Sequence, residues 1–146
     1  MEIKHELKRH WQEKLSWSAA LAITLGLLIY FIVFQHPSSF RIVRLSLIVL
    51  FFAWGTWLAL KKPDVLIQDG SLYLYDRISP KPFIVSLTEI QSIERHREFP
   101  IWRVPRLNFY LKDGSKLTFS AGANEGRMKR IIRFIETETA LKIKDI

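Results

Sequence analysis

The sequence predicts a membrane α+β protein: a two-helix transmembrane hairpin, then an antiparallel β domain closed by a C-terminal helix. Three observations predict it. Two long uncharged runs, "WSAALAITLGLLIYFIVF" (17–34) and "LSLIVLFFAWGTWLAL" (45–60), fill most of the first 60 residues. Within "LALKKPDVLIQDGSLYLYDRISP" (58–80) the pattern changes to the period-two alternation of half-buried strands. Near the end of the chain, Met128, Ile131, Ile132 and Ile135 return to helical spacing.

Residues 1–16, "MEIKHELKRHWQEKLS", place Ile3, Leu7, Trp11 and Leu15 four apart between charged flanks. This predicts a cytoplasmic amphipathic helix, either lying in the membrane interface or prolonging the first span into water. The first span covers 17–34, a short extracytoplasmic loop covers 35–41, and the second span covers 42–60 once Ile42 and Val43 are counted and Arg44 snorkels toward the headgroups. Trp17, Tyr30, Trp54 and Trp57 lie near the run ends, where aromatic rings favour the interface. A buried hairpin in a soluble core is the competing reading, but the remaining chain offers little that could wrap two such helices. The first run follows sixteen charged or polar-rich residues and lacks a small-x-small site, so it is expected to be a retained span and not a cleaved signal.

Charge sets the expected orientation. Lys4, Lys8, Arg9, Lys14, Lys61 and Lys62 flank the outer ends of the spans, against Arg41 and Arg44 at the loop. The positive-inside bias puts both termini in the cytoplasm and accounts for the net charge of +8 without nucleic acid as a partner. With no cysteine, thiol catalysis and disulfides are excluded.

Residues 61–146 form the β domain. Asp69-Gly70 is a two-residue hairpin signal that pairs Val65 with Leu74 and Ile67 with Leu72 on one apolar face. In "LNFYLKDGSKLTFSA" a two-residue turn would mix the faces. A three-residue loop, Lys112-Asp113-Gly114, pairs Phe109 with Leu117 and Leu107 with Phe119 and keeps one face apolar. "PFIVSL" and "EIQSIERHRE" read as further strands, with Phe83, Val85, Leu87, Ile90 and Ile93 turned inward. Six or seven strands are expected, closed by a helix from the N-cap Asn124 to about Leu141.

From the two spans through "KKPDVLIQDG", "PFIVSLTEIQSI", "LNFYLKDGSKLTF" and the terminal helix, the chain resembles small bacterial two-span membrane proteins carrying a cytoplasmic pleckstrin-homology-like (PH-like) domain. The resemblance implies a strongly bent antiparallel sheet or barrel capped by the helix, on the cytoplasmic side of the bacterial inner membrane. It implies protein contact more than phosphoinositide binding, because "VLIQDGSLYLYD" carries Asp69 and Asp76 where lipid-reading relatives carry a basic run.

No sequence pattern assembles a catalytic site, a metal site or a cofactor site. His5, Glu6 and His10 match no metal spacing. Three surfaces are candidates for binding. In "ERHREFPIWRVPR" (94–106), Phe99, Ile101, Trp102, Arg103 and Arg106 form a partner-binding loop, or else Trp102 plugs the sheet. Arg127, Lys129, Arg130 and Arg133 form a basic face for anionic lipid or an acidic partner, or else a solvated face. Ser18, Ala22 and Gly26, with Gly55 and Ala59, are small residues at helix-packing spacing. The expected function is a non-enzymatic, membrane-anchored interaction module: an accessory subunit or assembly or scaffold factor for a larger membrane protein, or for further copies of itself. A sensor of anionic lipid and a membrane-interface enzyme of unknown type are the alternatives.

Overall fold

The computed structural model describes residues 4–76, 79–96, 105–120 and 125–146. The chain divides into two compact units, Arg9–Lys62 and, discontinuously, Met1–Lys8 with Pro63–Ile146.

The first unit is a pair of antiparallel helices. α1 (Trp11–Tyr30) begins at His10, whose backbone is extended and whose ring Nδ1 accepts from the Gln12 amide at 3.2 Å. It runs on into a π turn, Phe31–Gln35. The residue before a proline is steered out of the right-handed helical region, and His36, before Pro37, takes φ 42° and stops the helix. α2 (Ser39–Lys61) starts at once, with the Ser38 carbonyl accepting from Arg41 and Ile42. It ends where Pro63 cannot continue it. At 25 and 23 residues, with mean hydropathy 2.2 and 1.9 over an 18-residue stretch of each, both helical segments are long and apolar enough to cross a membrane.

The helices meet along Leu21, Thr24 and Leu28 of α1, Phe31 of the π turn, and Ile42, Leu45, Val49 and Phe52 of α2, each half-buried at three- and four-residue spacing. The Thr24 hydroxyl donates back to the Ala20 carbonyl at 2.9 Å, so it adds no unpaired polar group to this face. The small residues behave unequally. Gly55 is buried against the Trp17 indole, which also packs on Phe51 and Phe52 with ring centroids 5.8 and 5.9 Å away. Ala59 is buried and Ser18 half-buried. Ala22 and Gly26 are exposed, and a Cβ on Gly26 would meet nothing within 4 Å. Ala22 and Gly26 therefore lie off the hairpin's packing face, where larger side chains three or four residues apart fill the contact.

The second unit holds two four-stranded sheets and a helix. One sheet has the order β1 (His5–Leu7), β2 (Val65–Gln68), β3 (Ser71–Leu74), β4 (Phe83–Ser86). The other has β7 (Lys116–Ser120), β6 (Arg106–Leu111), β5 (Ile90–His96), β8 (Ile143–Asp145). They do not close into a barrel among the described residues. Both hairpins take the expected registers. Asp69 and Gly70 have φ 51° and 71°, the two positive values a two-residue twisted turn needs, and Val65 faces Leu74. Gly114 has φ 87°, and Phe109 faces Leu117. Ser115 donates to Asp113 through its amide (2.8 Å) and hydroxyl (2.6 Å), bonds that hold the Asp113 carboxyl below the usual carboxylate range.

Two strands depart from expectation. His5–Leu7 is not helical: it pairs antiparallel with Ile67–Val65 and covers the edge of β2. A three-residue stretch gains too few helical bonds to resist an open sheet edge, so the helical periodicity of 1–16 is overridden by tertiary pairing. β8 follows α3 and lies parallel to β5. A bulge at Gln91 shifts the β5 register between Ile90 and Ser92. It explains how Ile90 and Ile93, which a regular strand would turn to opposite faces, are both buried.

The core unites both sheets with α3 (Glu125–Thr139). Val65, Leu72, Leu74, Ile93, Leu107, Phe109, Met128, Ile131 and Ile135 are fully buried. Phe83 bridges the sheets, with ring centroids 5.6 Å from Phe109 and 5.8 Å from Phe119. Each large apolar side chain removed from water contributes about 1.5–3 kcal/mol, so Met128, Ile131 and Ile135 hold the helix on the sheets. Ala140, at φ 56°, ends it.

Gly55 and Gly26 give a paired test. Gly55→Val should drive a methyl into the Trp17 ring and cost about 1–3 kcal/mol, while Gly26→Val should be near neutral. Thermal unfolding in detergent, followed by helical circular dichroism, reads both. Adding Trp17→Ala should relieve most of the Gly55→Val penalty, and equal penalties at the two glycines would contradict the packing described.

Candidate functional site

The first acidic residue after Glu13 is Asp64, directly after the proline that terminates α2. It is fully buried, as is the Arg127 side chain from the first turn of α3, and Arg127 Nε donates to Asp64 Oδ1 at 3.0 Å. Arg130, one turn along the same helix, brings its guanidinium within 3.7 Å of Asp64 Oδ2. A cation in the first turn of a helix opposes the helix dipole, and a carboxylate there complements it. Asp64 supplies that carboxylate to both arginines.

The backbone joins the same cluster. The Asp64 amide donates to the Leu7 carbonyl at 2.7 Å, and its carbonyl accepts from the Tyr75 amide at 3.0 Å. Arg127 Nη2 donates to the Tyr75 carbonyl at 2.6 Å. Arg130 Nη2 donates to the Lys8 carbonyl at 2.9 Å. The clasp thus fastens four pieces of chain: the end of β1, the start of β2, the residue after β3, and α3. The Tyr75 phenol is buried nearby in the chain, and burial pushes its pKa up. Lys8 immediately precedes the hairpin unit and Asp64 comes directly after Pro63, the first residue beyond it, so both connections leave the sheet unit side by side.

This divides the predicted basic face. Arg127 is buried and ion-paired and is not available to lipid or to a partner; Arg130 is about one-third exposed, with its guanidinium shared between Asp64 and Lys8. Lys129 and Arg133 are exposed, one turn apart on the outer side of α3. Local spacing made the four look alike because the carboxylate that separates them is 63 residues away from Arg127. The signal available in the sequence was the isolation of Asp64 in a long stretch without acids.

Of the predicted partner-binding loop, Phe99, Ile101, Trp102 and Arg103 lie outside the described residues. Arg106 is described: it opens β6, is exposed, and sits in register with His96 on one side and Ser120 on the other. At the same end of β5, His96 Nε2 lies 3.2 Å from Glu94 Oε2. Arg95 is buried and donates to Glu125 at 2.7 Å, linking β5 to the first turn of α3. The N-terminal histidines separate: His10 caps α1, and His5 Nδ1 lies 2.8 Å from Glu138 of α3. Among the described residues, no three His, Asp or Glu side chains come together to hold a metal ion.

No family model matches this chain, and no curated protein is significantly similar to it.

Breaking a buried ion pair on one side leaves an uncompensated charge, so Asp64→Asn should destabilise the sheet unit by about 3–5 kcal/mol. Lys129→Gln and Arg133→Gln should stay within about 0.5 kcal/mol. Urea-induced loss of the β-sheet circular dichroism of the full chain in detergent checks both. Pairing Asp64→Leu with Arg127→Met should recover much of the loss, since no fully buried charge is then left unpaired and Arg130, about one-third exposed, keeps the Lys8 carbonyl.

Proposed function

We propose that the chain is a two-span protein of the bacterial inner membrane whose hairpin tethers a cytoplasmic PH-like module. In this reading the module makes non-enzymatic contacts as an accessory subunit or an assembly or scaffold factor of a larger membrane protein. The observation that carries the reading is the pair of apolar helices joined by a tight turn, with both outer ends entering one sheet unit through the Asp64 clasp. A domain joined to both outer ends of the hairpin is kept concentrated beside it, which suits contact with a neighbouring membrane protein. The PH-like assignment draws support from the order of the elements, seven strands of the sheet unit and then α3 across its core; among the described residues the two sheets do not close into a barrel.

The segment that joins β5 to β6, with the first residue of β6, is the proposed partner surface, through Phe99, Ile101, Trp102, Arg103 and Arg106, because tryptophan and arginine are favoured anchors in desolvated contacts. The lipid-sensing alternative is second. Two of its four bases, Arg127 and Arg130, are engaged with Asp64, leaving Lys129 and Arg133.

Topology and contact are separately testable. The chain has no cysteine, so single cysteines can be read without background. With Ser38→Cys and Ser115→Cys, an impermeant thiol reagent on intact cells should label position 38 and reach 115 only after lysis. Ser38 makes no side-chain cap, so its replacement should not disturb α2. Labelling at 115 alone would invert the topology. For contact, Trp102→Ala should weaken association with a co-purifying membrane protein more than tenfold, the loss of an anchor worth about 2 kcal/mol, with the unfolding transition unchanged. Loss of the transition instead would make Trp102 a packing residue and remove the loop surface.

A further inference from the structure

The hairpin carries two charges that the clasp and the partner loop leave unused. Arg41 and Arg44 sit in the first two turns of α2, and between Lys14 and Pro63 the sequence has no aspartate or glutamate. Among the described residues neither guanidinium pairs with a carboxylate. Both line one recess of about 270 Å³, whose other walls are Phe31 from the π turn and Leu45 and Ile48 of α2. The Arg44 guanidinium stands over the Phe40 ring, 5.6 Å from its centroid. An aromatic face orients a guanidinium and leaves its charge unneutralised.

We propose that this recess binds the phosphate of an anionic phospholipid, with Arg41 and Arg44 as the phosphate ligands and Phe31, Leu45 and Ile48 against the glycerol and upper acyl chain. The site rests on the reading of α1 and α2 as membrane spans. A charge inside an apolar span is costly unless it reaches the interface or a partner, and at 1.5 Å per residue Arg44 lies about 8 Å down the helix from Ser39. A lipid headgroup phosphate at that level meets both demands. Guanidinium donors match phosphate oxygens in geometry as well as charge. The first turn of α2, without a side-chain cap on Ser38, adds amide donors and the positive end of the helix dipole. An anionic headgroup is preferred over a zwitterionic one because two cations without a local acid would repel a headgroup ammonium. A free phosphate would leave the three apolar walls facing water, so the lipid is the source that uses the whole recess. At this volume the recess holds the headgroup end of a lipid, with the acyl chains remaining in the bilayer.

The test uses the full chain. Membranes are first washed with alkaline carbonate; release of the protein would overturn the two-span reading itself, and with it this site. The retained protein, purified in mild detergent and stripped of lipid, is titrated with dioleoyl phosphatidylglycerol, dioleoyl phosphatidylcholine or inorganic phosphate, and bound lipid is counted by native mass spectrometry. One saturable phosphatidylglycerol per chain is expected, at least tenfold tighter than phosphatidylcholine and undisplaced by millimolar phosphate. Arg41→Gln with Arg44→Gln should weaken it at least tenfold, as should Ile48→Trp, which fills the recess and keeps both charges. Lys61→Gln with Lys62→Gln, at the other end of the hairpin, should leave it unchanged. Membrane-retained protein that binds both lipids alike, or whose phosphatidylglycerol binding survives both recess variants, would overturn the lipid site and leave the two-span reading standing. Equal loss in the Lys61 and Lys62 variant would overturn it too, by reducing the effect to net charge.

Discussion

The buried contact between Asp64 and Arg127 is the constraint around which the sheet unit is arranged. Neither group is tolerable alone: a carboxylate at zero exposure and a guanidinium at 2% exposure would each cost several kcal/mol unpaired. Their pairing fixes α3 at its first turn, and the helix then presents Met128, Ile131 and Ile135 to both sheets. The Asp64 backbone simultaneously holds Leu7 and Tyr75, so the start of β2 is positioned by the same residue that neutralises the helix. An apolar pair of equal volume could serve stability as well. What an ion pair adds is direction, since the planar guanidinium of Arg127 aims Nε at Asp64 and Nη2 at the Tyr75 carbonyl, and only one approach of α3 satisfies both.

Much of this fold was legible from local chemistry. Each hairpin register follows from a turn whose glycine tolerates positive φ, combined with the requirement that apolar residues share a face. α3 follows from four apolar residues at helical spacing, and the two membrane-length helices from charge-free runs. What escaped was non-local. β1 and β8 are three residues each, too short to show a period, and exist because β2 and β5 offer edges to them. The Gln91 bulge has no signature beyond the inward pairing of Ile90 and Ile93 that it makes compatible.

The binding surfaces were legible in the same uneven way. Exposed cations such as Lys129 and Arg133 could be named from helical spacing, because a solvated face needs no partner. Arg127 and Arg130 could not be told from them, because their fate is decided by a carboxylate in another part of the chain. Small residues misled similarly: Gly55 is small because Trp17 occupies its space, whereas Gly26 meets nothing, and spacing alone treats the two alike.

The strand at residues 5–7 changes what kind of object the hairpin is. Because β1 belongs to the same sheet as β2, the two apolar helices are an insertion inside a discontinuous domain, with residues 8–63 lying between Leu7 and its neighbour Asp64. During synthesis the first strand must wait, unpaired, until both helices have been made and β2 has emerged behind them. Closing so long a loop by diffusion is entropically costly. Antiparallel docking of α1 against α2 brings the two ends together beforehand and lowers that cost. The helical hairpin would then act as a folding template for the sheet, and a fragment begun at Pro63 would carry an open, adhesive edge on β2 where its own first strand should lie.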